Sequence, residues 1–175
     1  WSGDPIVASL SAGAAIELAG RRGAPREALT LLGERVAVLD REWSPREPIL
    51  VRLVATLVGV LADAVADADR PARADFRAAV EAWTPRAEEA FTSEDSPGPE
   101  GRAWRARLDA ELLRFAWLSG EPVSLEELAG AWRGVAEAFA AYGSVYEAAR
   151  STAVLGSVLA AAGDLAGADA ERPEG

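Results

Sequence analysis

The sequence predicts an all-α fold, antiparallel helical hairpins stacked as a solenoid, and three observations carry the prediction. Apolar residues recur at three- and four-residue steps, which places them on one face of a helix. Alternation of the strand type is missing throughout. Stop and start signals fall between the apolar stripes: Gly143 is followed at once by Ser144, and Gly163 by Asp164. A glycine that ends one helix next to a capping residue that starts another forces an abrupt reversal, so each helix packs on its sequence neighbour. A lone hairpin cannot bury its apolar face, and repeating the unit supplies the missing partner.

Taken in order, Asp4-Pro5 and Ala24-Pro25 mark helix starts, since proline in a first turn lacks an N–H that has no partner there anyway. The second helix carries the stripe Leu29, Leu32, Val36, Leu39 and Trp43. Pro48 to Asp67 is the richest apolar run; Arg52 and Asp63 interrupt it, so it reads as a buried central helix and not as a membrane span. Phe76, Val80, Trp83, Ala87 and Phe91 form the next stripe, which Pro85 is expected to divide because an interior proline breaks the hydrogen-bond ladder. Thr92 to Gly101 (TSEDSPGPEG) reads as a long loop. Leu125, Leu128, Trp132, Val135, Phe139 and Tyr142 make the clearest stripe. It is preceded by the capping box Ser124/Glu127, with Val123 and Leu128 at staple positions, and Ser144/Glu147 repeat the box. Gly156 is expected to pack against a neighbouring helix, because glycine inside a helix costs about 1 kcal/mol relative to alanine. About seven or eight helices result, in a single repeat domain over 1–171 with a polar tail at 172–175.

Composition removes whole classes of chemistry. The chain of 175 residues has no cysteine and no histidine, and all 18 of its basic residues are arginine. Disulfides, thiolate zinc sites and cysteine nucleophiles are excluded, as are imidazole acid–base catalysis and imidazole metal ligation. A phosphate loop needs lysine, which argues against bound ATP. The formal net charge of −10 repels a polyanion, so direct nucleic-acid binding by this segment is not expected. No signal-peptide layout is present, and a reducing cytoplasm is compatible with the absence of cysteine. With Trp1 first and ERPEG last, the sequence reads as a piece of a longer protein.

Leu155-Gly156, Leu159, Gly163 and Ala168 resemble the leucine-glycine, large-residue, turn and small-alanine positions of a tetratricopeptide repeat, although Thr152 stands where the repeat favours tryptophan. Arg22-Gly23, Ala28 and Leu32 echo part of that spacing. The C-terminal half, through Trp104, Glu111, Trp132, Phe139, Gly143, Tyr146-Glu147-Ala148-Ala149, Leu155 and Gly163-Asp164, resembles the helical segment that precedes the DNA-binding domain in large ATP-dependent LuxR-type transcriptional regulators. In that family a STAND-type ATPase is followed by a tetratricopeptide-like scaffold and a helix-turn-helix. The resemblance implies a non-enzymatic scaffold and sensor, cytoplasmic, receiving a protein, a peptide, other domains of its own polypeptide or a small-molecule effector. The alternative is a free-standing adaptor with a peptide in its concave groove.

The residues singled out for partner binding are Trp83, Trp104, Trp117, Tyr142 and Tyr146. For the tryptophans, core packing is the default reading at helical spacing, and the tyrosines flank a turn where hydroxyls reach solvent. No catalytic, cofactor or metal residues are assigned. Asp63, Asp67 and Asp69 lack the glycine-containing loop of a calcium hand and read as a solvated helix end. Glu88-Glu89 and Glu126-Glu127 are adjacent on helices and point apart, so neither pair is a ready dyad.

Overall fold

The structure, a computed structural model, describes residues 5–42, 48–92 and 97–163. Those residues form seven α-helices and no strand: α1 (Pro5–Arg21), α2 (Pro25–Glu42), α3 (Ile49–Val65), α4 (Arg70–Thr92), α5 (Pro99–Leu118), α6 (Leu125–Tyr142) and α7 (Val145–Ala161). Trp1, Trp43 and the tail at 172–175 lie outside the described residues.

α3 is the centre, as its composition requires. Leucine, valine and alanine surround it on nearly every side, and 13 of its residues are buried, from Leu50 to Val65. A helix that is apolar all round must be enclosed, and α1, α2, α4 and α5 enclose this one. The stripe on α2 supplies Leu32, Val36 and Leu39 to the core, where Ala28 joins them and Leu29 is half-buried, and that on α6 supplies Leu128, Trp132, Val135 and Phe139.

Helix ends follow a repeated device. After α1, Gly23 N–H bonds to Gly20 O and Ala24 N–H to Ala19 O; Gly120 with Glu121 and Gly143 with Ser144 do the same after α5 and α6. These are the two bonds of the Schellman motif, which needs a left-handed residue. Gly23, Gly120 and Gly143 supply it with φ of 71°, 87° and 90°. Ser124 caps α6 by accepting the Glu127 N–H at 3.3 Å, and Val123 packs on the core beside buried Leu128.

Three expectations need correction. Pro85 does not divide α4, which continues to Thr92. The proline lies on the exposed face, and so does Glu81 one turn earlier, so the carbonyl that loses its partner is on the water side. The loop is shorter than Thr92 to Gly101, because Thr92 ends α4 and Pro99 takes the first position of α5, where a proline fits. Ser144 precedes α7 but makes no side-chain cap bond, and Glu147 reaches Arg107 instead. The Ser144 N–H that a capping box would offer is already bonded to the Phe139 carbonyl, and the carboxylate takes the buried guanidinium instead.

Side-chain pairings give the directions of the helices. Gly13 lies against Leu53 and Gly20 against Val60, so α1 and α3 run parallel. Arg52 over Trp104, Gly59 against Glu111 and Asp63 on Arg114 make α3 and α5 parallel as well. Arg26 pairs with Asp75 and Arg86 with Asp40, which makes α2 and α4 parallel to each other. Within a hairpin the order reverses, as Trp104 with Phe139 and Glu100 with Tyr142 show for α5 and α6. Odd-numbered helices therefore lie side by side, with even-numbered helices antiparallel to them.

Candidate functional site

The five aromatic candidates fall in three places. Trp83 is half-buried against the core under the guanidinium of Arg86, 5.4 Å from its ring. Trp104 is buried and meets Phe139 edge to face, with the guanidinia of Arg52 and Arg107 each 5.0 Å from its ring centroid. One edge of Trp104 borders a small cleft of about 290 Å³ with Ile49, Arg52 and Glu100. Tyr142, 42 % exposed, donates at 3.0 Å to Glu100, which borders that cleft with Trp104. That hydrogen bond, with the carboxylate charge behind it, holds the Tyr142 phenol above its usual value.

Trp117 and Tyr146 lie on the side of the fold where the odd-numbered helices meet. Trp117 and Leu118 of α5, with Val154 and Val158 of α7 and Asp63 of α3, line a cleft of about 450 Å³. Arg114 and Arg150 also border it. Tyr146, 56 % exposed, accepts a hydrogen bond from Arg21 at 3.0 Å, and Arg150 pairs with Glu17. Polar side chains thus clasp the first helix to the last.

Beneath this face runs a charged chain that sequence reading missed. Arg107, Glu111 and Arg114 recur at helical spacing on α5, and Arg107 and Glu111 are each 1 % exposed. Arg107 reaches Glu147 at 2.6 Å and lies 3.7 Å from Glu111. Arg114 holds Glu111 at 2.8 Å, Asp63 at 2.6 Å and the Gly59 carbonyl at 3.0 Å. Burial by itself lowers the Arg114 guanidinium, and the charges and hydrogen bonds of Glu111 and Asp63 outweigh it, leaving a net rise. α3, α5 and α7 are fixed in register by this chain, since breaking a buried pair leaves an uncompensated charge. The sequence signal was available: Arg107, Glu111 and Arg114 fall within the buried stripe of α5.

Asp63 is tied to Arg114, while Asp67 and Asp69 sit at the solvated end of α3, and no cluster able to hold a metal ion occurs among the described residues. No helix among them is long and apolar enough to cross a membrane. These features define the class: among the described residues an all-α fold of seven helices, in which polar side chains join the first helix to the last. No family model, curated protein or solved structure matches the chain.

Proposed function

We propose that the chain is the helical-repeat scaffold and sensor segment of a LuxR-type transcriptional regulator, a tetratricopeptide-like solenoid that receives a protein or small effector and passes a packing change to attached domains. The parallel register of alternate helices carries this reading, because such stacking presents one continuous inner face. Bonds between equivalent helices join residues 40 to 55 positions apart, wider than the roughly 34 residues of a tetratricopeptide unit. The likeness is to the stacking and the glycine-ended helices.

In this reading the inner cleft takes the ligand and the clasp reports it. The Arg21–Tyr146 contact is exposed and Glu17–Arg150 is half-buried, so the clasp separates at less cost than the buried run Arg107, Glu111 and Arg114. A ligand that binds the open arrangement better shifts the population toward it. The segment carries no catalysis, and a net charge of −10 leaves DNA contact to another domain of a cytoplasmic protein. The test is the complete open reading frame. A phosphate-binding loop upstream and a helix-turn-helix downstream are expected; any other output domain overturns the regulator reading, and a frame holding this array alone favours the adaptor.

A further inference from the structure

At the end of the array where the α1–α2 turn meets the end of α3 and the start of α4, an open groove of about 870 Å³ is present. Its floor is apolar: Val60 and Phe76 are buried, and the half-buried methyls of Ala64, Ala68 and Ala72 lie between them. Gly20 packs so closely on Val60 that an added Cβ would stand 2.6 Å from its Cγ2, which brings the α1 backbone down to the groove.

The rim is acidic. Glu27, Asp63, Asp67 and Asp69 line it against one arginine, Arg26, which Asp75 already engages at 2.9 Å. Asp63 is held by Arg114. Asp69 accepts the Ala72 N–H as the cap of α4, and none of Glu27, Asp67 and Asp69 has an ion-pair partner among the described residues. Arg73 of α4 donates to the Ala66 and Ala68 carbonyls at the end of α3, and Arg70 and Arg73 border a different cleft. Three carboxylates over an apolar floor match a ligand that joins positive charge to apolar side chains.

We propose that this groove docks a cationic amphipathic segment of a partner protein, apolar side chains on the alanine floor and arginine or lysine side chains on Glu27, Asp67 and Asp69. The proposal rests on the reading of the chain as an interaction scaffold and names the chemistry of its partner. The probe is a fluorescein-labelled synthetic peptide with leucine at helical spacing and arginine between, beside a counterpart with glutamate for each arginine. Binding is followed by fluorescence anisotropy at physiological salt. Saturable binding of the arginine peptide alone is expected. Glu27→Gln with Asp67→Asn is expected to weaken it about tenfold, and Glu126→Gln with Glu137→Gln, the same charge change on exposed positions of α6, to leave it as in the parent.

Equal weakening by the two double variants reduces the effect to net charge and overturns the proposal. Binding of the glutamate peptide, or no saturable binding, does the same. Thermal melts matching the parent exclude misfolding of the variants. Failure here leaves the scaffold reading standing, because that is decided by the reading frame.

Discussion

Replacing Gly59 by alanine places two known effects in opposition. In an unencumbered helix the change is stabilising by about 0.4–1 kcal/mol, through lost backbone freedom in the unfolded chain. At Gly59 the new Cβ would lie 2.6 Å from Glu111 Oε1 and 3.0 Å from its carboxyl carbon. Ordinary contact begins at 3.4 Å, so the carboxylate must retreat by about 0.8 Å. A free side-chain end would do so cheaply. This one is 1 % exposed and held at 2.8 Å by Arg114, with Arg107 on its other oxygen. Overpacking costs about 1–3 kcal/mol and a loosened charged hydrogen bond about 1.5–3 kcal/mol. Against the helix gain, the net is a loss of about 3 kcal/mol, or roughly 6–12 °C of Tm for a domain of this size.

The assay is thermal unfolding followed by circular dichroism, with Gly130→Ala and Gly134→Ala as references. Both glycines lie in α6 with nothing within 4 Å of the added methyl, so both variants are expected to melt above the parent. Gly59→Ala made together with Glu111→Ala removes the obstructing carboxylate, and there the glycine change is expected to turn favourable. A Gly59→Ala protein that melts at or above the parent refutes the reasoning, because Glu111 would then be free to move.

Pro85→Ala restores a ladder hydrogen bond inside α4, and a rise in stability of up to about 3 kcal/mol by denaturant titration is expected; an unchanged midpoint contradicts it. Ser124→Ala removes a cap bond and is expected to cost about 1 kcal/mol, whereas Ser144→Ala, where no such bond exists, is expected to be nearly neutral in the same melts. Tyr142 and Tyr146 are the two tyrosines of the chain, so Tyr146→Phe isolates the other for phenolate absorbance titration. Tyr142 is expected to ionise above 10.0, and Glu100→Gln to bring it back. Since the folded value is the raised one, its contribution to stability is complete below the unfolded value and is lost as pH rises through the folded one.

Helix number and the central place of α3 were legible because burial needs apolar stripes, and those survive in composition and spacing. Glycine ends were legible too, since few residues tolerate positive φ. Pro85 misled because a broken ladder matters less when the orphaned carbonyl faces water, and sequence alone does not say which face that is. Gly156 is half-buried in α7, and Gly59 and Gly20 press on neighbouring helices although nothing in the sequence around them points to it. Which glycine meets a facing helix depends on register between helices some 40 residues apart, and no local pattern encodes that. The same holds for Trp104 and Trp117, whose chemistry is plain from the residue type while their separation into two clefts follows from how the helices pack.

The clasp has a kinetic consequence. The main packing partners of each helix are the next one or the next but one, so most contacts join segments that are near in sequence. Arg21 and Tyr146 stand 125 residues apart, and closing that loop from an unfolded chain costs about 1 kcal/mol more than closing one of 40 residues. The first and last helices therefore meet only after the intervening hairpins have shortened the distance, late in folding and beyond the transition state. Contacts of that kind leave the folding rate nearly untouched and set how long the folded chain lasts. Reinforcing Glu17–Arg150 would slow the unravelling of this array from its ends while leaving its assembly at the same speed.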